Sequence, residues 1–205
     1  MLRNPDPEGY MCDKLLDMME DVPFYKIKVT EFCRFAGVSR SAFYAHFDSI
    51  YDVIQKIEDD FFDGLVAEDE FTLDAVTGAT NREITQELMR NTSEYLQKNL
   101  RVSRILLGEN GEPSFSARLG TRIRRITERL IGETGIDISP EQRRLLVEYA
   151  TGGQLAAARY IATHSNGMDA DAINDFTVNV IIGSFNGIVE SNRASTELTH
   201  GSEQA

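Results

Sequence analysis

The stretch AGVSRSAFYAHF, Ala36–Phe47, decides the local fold near the N-terminus of this 205-residue chain. A short segment with helical apolar spacing precedes it and closes at Gly37, which has the backbone freedom that a tight bend requires. Ser39 is a favourable N-cap for a second short helix that begins at Arg40. Two short helices joined by a turn at a glycine are typical of a helix-turn-helix.

Helical spacing of apolar residues continues through nearly all of the chain, and no convincing strand alternation occurs. A first helix precedes Pro23. Ser49 with Asp52 forms a capping-box-like start for a connecting helix, and SPEQ at Ser139–Gln142 is a strong helix start. The pattern predicts an all-α protein with an N-terminal three-helix helix-turn-helix domain, a connecting helix and a helical bundle.

The expected boundaries follow from breaks in this pattern. We expect the helix-turn-helix domain over residues 1–48, the helical bundle over residues 49–194 and a disordered tail over residues 195–205. Residues 69–79 break the helical spacing and are expected to form a loop or a frayed end. A last long helix is expected to start at Asp169.

The formal net charge of −12 argues against nucleic-acid binding, because neutralising phosphates requires lysine and arginine. The charge is distributed unevenly, however. Between Lys26 and His46 there are four basic residues, and Glu31 is the one acidic residue. The helix-turn-helix therefore carries a locally cationic surface within an acidic protein.

Several other classes of protein are not expected. The N-terminal MLRNPDPEGY has no apolar region of a secretory leader, and no apolar run reaches the length of a membrane span, so we expect a cytoplasmic protein with no membrane partner. Cys12 and Cys33 are interpreted as reduced thiols. His46, His164 and His200 lack ligand spacing, so neither a metal nor a cofactor is expected. The sequence contains no nucleophile elbow or Gly-rich phosphate loop, which argues against an enzyme with catalytic residues.

The residues Pro23–Ile54, PFYKIKVTEFCRFAGVSRSAFYAHFDSIYDVI, closely resemble the DNA-binding domain of TetR-type transcriptional regulators. The resemblance implies a homodimer that binds a palindromic operator in double-stranded DNA and responds to a small-molecule effector, most simply as a repressor. It also implies that the helical bundle over residues 49–194 is a ligand-binding and dimerisation domain. LLGENGEPSF, Leu106–Phe115, is more weakly similar to a branch that includes the dihydroxyacetone-kinase operon activator.

The chain departs from the family pattern at three places. Ile50 stands where relatives have a lysine that contacts a backbone phosphate, Lys28 stands where they have a threonine cap, and the basic N-terminal arm is missing. Ile50, Lys28 and the acidic surface favour an alternative function, in which a dimer of this fold has lost specific DNA binding and docks a partner protein.

The outward face of the second short helix supplies the candidate DNA contacts, while Phe43 and Phe47 can pack inward. Arginine can bond guanine bidentately, alanine can touch a thymine methyl group, and hydroxyls can bond phosphates. Each residue also has a simpler interpretation, as a solvated or packing side chain. The candidate DNA-binding residues are Lys28, Thr30, Arg40, Ser41, Ala42, Tyr44, Ala45 and His46.

Two further sets of residues are assigned to the bundle. Small residues on the last two long helices would allow close approach between subunits, and the candidate dimer interface is Gly152, Gly153, Ala156, Tyr160, Val180, Gly183 and Gly187. The candidate ligand pocket is Met89, Tyr95, Ile105, Phe115, Leu119 and Tyr149, although such an apolar stripe could equally be core. RIRR at Arg122–Arg125 is interpreted as a solvated face paired with Glu128 and Glu133, although it could suggest nucleic acid.

Overall fold

A computed structural model describes residues 6–75, 81–133, 138–164, 172–173, 175–181, 183–184 and 187. Over these residues every regular element is a helix, which confirms the all-α prediction. We call the described helical residues between 172 and 187 the C-terminal helical segment. The other elements are α1 (Pro7–Met19), a 3-10 turn (Phe24–Lys26), α2 (Val29–Ala36), α3 (Arg40–Tyr44), α4 (Ile50–Ala75), α5 (Asn81–Lys98), α6 (Leu100–Leu107), α7 (Pro113–Glu133) and α8 (Pro140–His164).

The turn between α2 and α3 has the geometry that the sequence predicts. Gly37 caps α2 with a φ of 67°, in the left-handed region, and the N–H of Val38 donates to the carbonyl of Cys33 at 3.0 Å. The hydroxyl of Tyr10 on α1 donates to the carbonyl of Ala36 at 2.9 Å. A side chain of the first helix thereby fixes the end of α2, and the three helices form a helix-turn-helix unit.

Replacing Gly37 by alanine is expected to lower the free energy of unfolding by about 1–2 kcal/mol, because a Cβ is strained at positive φ. Urea denaturation followed by circular dichroism measures this change. Gly120→Ala is the matched control. It lies within α7, where a Cβ would meet nothing nearer than Leu155 Cδ2 at 3.8 Å, so this substitution should stabilise the protein slightly. Equal effects from both substitutions would contradict a strained turn.

The connecting helix α4 begins at the predicted capping box. The carboxylate of Asp52 accepts hydrogen bonds from the backbone N–H groups of Asp48 and Ser49, both at 2.8 Å, and the N–H of Asp52 donates to the Ser49 hydroxyl at 3.3 Å. The helix continues to Ala75. The prediction of a loop over residues 69–79 is therefore wrong for residues 69–75, which are helical. Residues 76–79 lie outside the residues that the structure describes. A break in the apolar spacing does not by itself end a helix, and residues 69–75 contain no Gly or Pro that would.

One apolar core runs from the helix-turn-helix into the bundle. Phe32 and Phe43 are fully buried between α2 and α3, and Phe115 is fully buried where α7 meets α4. At the start of α8, Ser139 and Gln142 exchange the hydrogen bonds of the predicted cap, at 2.8 and 3.1 Å. Within the described residues no helix combines the length and the apolarity needed to cross a membrane. The predicted start of the last helix at Asp169 and the predicted tail lie outside the described residues.

The turn after α6 holds the C-terminal end of α1. The side-chain amide of Asn110 donates to the carbonyls of Met19 at 3.0 Å and Glu20 at 3.2 Å, and the carbonyl of Asn110 accepts from the N–H of Phe24 at 3.0 Å. Arg101 on α6 pairs with Asp17 and with Glu20, the latter at 2.8 Å. The bundle thus contacts the helix-turn-helix through directed polar bonds as well as through the core.

A second polar link joins α7 to α4. The Arg118 guanidinium donates to Glu58 at 3.1 Å and to Asp59 at 2.7 Å, and it lies 4.6 Å from the Phe62 ring centroid. Glu58 is buried, and among the described residues its Oε1 has no hydrogen-bond partner. Burial raises the pKa of the Glu58 carboxyl, in opposition to Arg118, which lowers it.

This raised pKa predicts a pH dependence of stability. The folded protein keeps the Glu58 proton to higher pH than the unfolded chain, whose glutamates titrate at about pH 4.3, so this group stabilises the fold less as pH rises. The free energy of unfolding of the native protein, relative to that of Glu58→Gln, should therefore fall as the pH rises above about 4.3, the value for the unfolded chain. Urea titrations of both proteins at a series of pH values measure this difference. If the difference in free energy of unfolding between the two proteins stays constant or rises with pH, the pKa of Glu58 is not raised in the folded protein.

Candidate nucleic-acid interface

Helix α3 is short, and the side chain of its N-cap residue, Ser39, fixes its first turn. The Ser39 hydroxyl accepts the backbone N–H of Ala42 at 3.0 Å, as expected of an N-cap, and lies 3.0 Å from the Ser41 hydroxyl. On the inward side, Phe43 packs edge-on against Phe32 with ring centroids 5.8 Å apart. The helix is thus anchored by one buried ring and one cap.

The side chains that α3 presents to solvent are the ones that the sequence assigned to DNA. Phe43 and Phe47 are buried as expected. The exposed residues of this surface are Arg40, Ser41, Ala42, Tyr44, Ala45 and His46. These side chains combine hydrogen-bond donors, two methyl groups and one cation on a surface that could enter a major groove.

Arg40 extends along the helix toward Tyr44, with its guanidinium carbon 6.0 Å from the ring centroid. Tyr44 in turn packs edge-on against the buried Phe43 at 5.3 Å. The ring therefore restricts the orientation of the arginine while leaving its N–H groups available. His46 lies at the end of the surface, where its Nδ1 is 3.5 Å from a carboxylate oxygen of Glu8 on α1.

The start of α2 adds the remaining two predicted residues. Lys28 occupies the N-cap position without a side-chain cap hydrogen bond, and both Lys28 and Thr30 are exposed. Arg34, on the same helix, is also exposed. The four basic residues of this region thus remain solvent-accessible, beside an exposed Glu31.

Ile50 lies at the start of α4 and is only 7% exposed. Its side chain belongs to the core that includes Phe47 and Val53. The lysine of the family pattern is therefore replaced by a residue that packs inward, and position 50 offers no cation to a phosphate.

The side chains proposed as a ligand pocket largely fill the core. Ile105, Phe115 and Leu119 are buried, and Tyr95 packs on Phe61 with its hydroxyl donating to the Phe61 carbonyl at 2.9 Å. Met89 is partly buried on α5. Tyr149 does not belong to this group, because its side chain is 61% exposed on α8. The stripe that the sequence assigned to a pocket is thus mainly packed core with Tyr149 outside it.

A cavity occurs instead between α8 and the C-terminal helical segment. It has a volume of about 550 Å³ and an apolar lining. Its lining residues are Ala156, Ala157, Tyr160, Ala172, Ile173, Phe176 and Thr177. Ala156 and Tyr160 were assigned to the dimer interface, so this cavity opens on the face predicted to meet a second subunit.

The predicted dimer residues all lie exposed on the single chain. Large apolar side chains that the sequence analysis did not assign to this face accompany them, notably Leu145 at 70% and Phe176 at 71% exposure. Leu145 and Tyr149 lie on α8 at a spacing that places them in one stripe with the small residues of that helix, whereas Phe176 lies on the C-terminal helical segment. The exposed predicted residues are Gly152, Gly153, Ala156, Tyr160, Val180, Gly183 and Gly187.

The RIRR segment of α7 is not a uniformly solvated face. Arg124 pairs with Glu148 of α8, one bond measuring 2.9 Å, and not with its own helix as predicted. Arg122 is partly buried, and burial together with Arg125 lowers its pKa to about 10. The predicted partner Glu128 is exposed. The pairing prediction missed α8, because the helix–helix approach is not visible in the local sequence.

The described residues include no group of three or more His, Cys, Asp or Glu side chains placed to hold a metal. Cys12 and Cys33 are free and buried. Burial raises the pKa of the Cys12 thiol to about 12 and also raises that of Cys33, which leaves both thiols protonated at neutral pH.

The all-α fold with an N-terminal helix-turn-helix is similar to that of several solved structures. A TetR-like transcriptional regulator from Rhodococcus sp. RHA1 superimposes with a TM-score of 0.70 at 16% identity, over 91% of this chain and 100% of that one. A putative TetR-family regulator from Syntrophomonas wolfei gives 0.63 at 17% identity, over 87% and 94%. The dihydroxyacetone kinase operon activator DhaS gives 0.54 at 14% identity, over 87% and 95%.

No protein-family model and no curated protein matches the sequence. The structural likeness to the Rhodococcus protein nevertheless covers 91% of this chain, so it extends well beyond the helix-turn-helix. The protein therefore adopts the fold of TetR-type transcriptional regulators, as its N-terminal resemblance predicts.

Proposed function

We propose that this protein is a DNA-binding transcriptional regulator that acts as a homodimer on a palindromic operator, as a repressor controlled by a small-molecule effector in the cytoplasm. The observation that carries the proposal is the surface of α3. Arg40, Ser41 and Ala42 face solvent while Phe43 anchors the helix in the core. Direct readout requires solvent-exposed side chains that can bond or contact base edges, held on a rigid recognition helix.

The homodimer is supported by the exposed stripe of α8 and the C-terminal helical segment. A monomer would leave three large apolar side chains exposed to water, which is unfavourable: those of Leu145, Tyr149 and Phe176. The exposed Gly152 and Gly153 would let a second copy of α8 approach closely. A four-helix interface formed by these two elements from each subunit would cover the stripe and the cavity together.

Effector control is supported by the directed contacts between the bundle and the helix-turn-helix. A ligand changes operator affinity only through its different affinities for two conformations. Asn110 and Arg101 hold the end of α1, and Arg118 holds α4, so a shift of α6 or α7 would move the DNA-binding unit.

The alternative is a dimer that docks a partner protein and has lost specific DNA binding. The burial of Ile50 and the formal charge of −12 favour it, since both weaken phosphate contacts.

Selection of genomic DNA fragments by the purified protein separates the two proposals. A regulator should enrich fragments that share a two-fold symmetric motif, and Arg40→Ala should abolish that enrichment. A partner-docking dimer should enrich no common motif, in which case the DNA-binding proposal is wrong.

A further inference from the structure

Helix α1 contacts the chain on both sides of α3. The Tyr10 hydroxyl donates to the Ala36 carbonyl at 2.9 Å, and Gly37 turns the chain directly afterwards. The last carbonyls of a helix have no partner within it, so this hydroxyl supplies a donor that the end of α2 needs. Beyond the other end of α3, a carboxylate oxygen of Glu8 lies 3.5 Å from Nδ1 of His46. Two side chains of α1 therefore bracket the segment that carries the candidate base-reading residues.

The same helix contacts the bundle through a short series of charged groups. The Asp17 carboxylate pairs with Lys14 at 2.7 Å and with Arg101 of α6. The hydrogen bond from Lys14, assisted by that from Arg101, lowers the pKa of the Asp17 carboxyl, which is therefore ionised at neutral pH. The Lys14 ammonium lies 5.8 Å from the centroid of the Tyr10 ring, within the range of a cation–π contact. A continuous series of contacts thus runs from α6 to the hydroxyl that bonds α2.

The direction of α3 depends on the contacts at its ends, because the helix has only five residues. Phe43 anchors it to Phe32 in the core. One ring contact leaves a helix able to rotate about it, whereas a hydrogen bond to the backbone just before the turn fixes where the chain enters α3. The Tyr10 hydroxyl therefore affects the orientation of α3 as well as the stability of the fold.

We propose that Tyr10 is a positioning residue for base reading, and that Arg101 of the bundle acts on it through Asp17 and Lys14. This inference rests on the proposed function and names α1 as an element through which the bundle controls α3. Tyr10 contacts no base itself and acts through the Ala36 carbonyl. Hydrogen bonds to base edges require closely defined distances and angles, so a misplaced α3 loses affinity for the operator rather than for random DNA.

The test measures affinity by fluorescence anisotropy for the duplex recovered by genomic selection and for a scrambled version of it. Tyr10→Phe removes the hydroxyl and keeps the ring, which packs against the core. The matched control is Tyr95→Phe, because the Tyr95 hydroxyl also donates to a backbone carbonyl at 2.9 Å, that of Phe61, within the bundle. Urea denaturation of both variants measures the stability that each hydroxyl contributes.

We expect Tyr10→Phe to lose roughly tenfold in affinity for the recovered duplex, the cost of a weakened base contact, and to bind the scrambled duplex as the native protein does. Tyr95→Phe should lower the free energy of unfolding by a similar amount and keep the native ratio of the two affinities. A purely structural role for Tyr10 would change stability and leave this ratio unchanged.

A double-mutant cycle tests the link to the bundle. Arg101→Gln removes the pair with Asp17 and should lower the ratio of the two affinities roughly threefold. Arg104→Gln removes the same charge at another exposed position of α6 and should leave the ratio unchanged. Added to Tyr10→Phe, the Arg101→Gln substitution should cause no further loss, because Arg101 acts through the Tyr10 hydroxyl.

If the native protein prefers the recovered duplex and Tyr10→Phe prefers it equally, the positioning role is wrong and the proposed function stands. Equal losses on both duplexes would also overturn the positioning role, because they indicate a general weakening of binding. Losses that add in the double variant would overturn the link to Arg101. If genomic selection recovers no common motif, the proposed function fails and this inference fails with it.

Discussion

Replacing Arg40 by alanine is expected to remove most of the discrimination between operator and random DNA. A bidentate contact between arginine and guanine is worth about 1–3 kcal/mol, and a homodimer loses it in both half-sites, so the total approaches 2–6 kcal/mol. The fold should be unaffected, because Arg40 is exposed and its ring neighbour Tyr44 packs on Phe43 without it. Anisotropy titrations with operator and scrambled duplexes measure the loss.

Lys28→Ala is the control for this substitution. Lys28 caps α2 without a side-chain hydrogen bond and faces the expected position of the backbone, so its removal should weaken both duplexes by the same factor. If Arg40→Ala also weakened both duplexes equally, Arg40 would be a phosphate contact and α3 would not read bases through it.

Replacing Phe176 by aspartate is expected to dissociate the dimer. Phe176 is 71% exposed on the single chain, so the fold of the subunit should tolerate the change. In a two-fold interface the substitution buries two uncompensated charges, each costing roughly 3–5 kcal/mol, which raises the dissociation constant by a hundredfold or more. Sedimentation velocity across a concentration series measures the constant.

The matched control is Phe35→Asp, which makes the same chemical change at an exposed phenylalanine of α2. It should leave the dissociation constant unchanged. A Phe176→Asp protein that remains dimeric at the native concentration range would show that the C-terminal helical segment lies outside the interface.

The sequence predicted correctly those parts of the fold that depend on residues close to one another in the chain, namely helix caps and turns. The left-handed turn at Gly37, the Ser39 cap and the box between Ser49 and Asp52 all involve residues within a few positions of one another. The outward face of α3 follows from the same reasoning, since burying Phe43 determines which side chains face water.

Contacts between distant helices could not be inferred in this way. The bonds of Asn110 to the end of α1 join residues about ninety positions apart, and nothing in the turn sequence identifies their carbonyl partners. Tyr149 was assigned to a pocket because an aromatic residue in an amphipathic helix has no local sign of whether it faces the core or a second subunit. Arg124 was assigned to its own helix for the same reason.

Hydroxyl-radical footprinting of the selected duplex tests most directly whether two copies of α3 read DNA together. We predict two protected half-sites related by two-fold symmetry, with centres about one helical turn or a multiple of it apart. Protection should disappear in both half-sites for Phe176→Asp, because each monomer alone would bind weakly. A single protected patch without symmetry, or a footprint unchanged by Arg40→Ala, would contradict the claim.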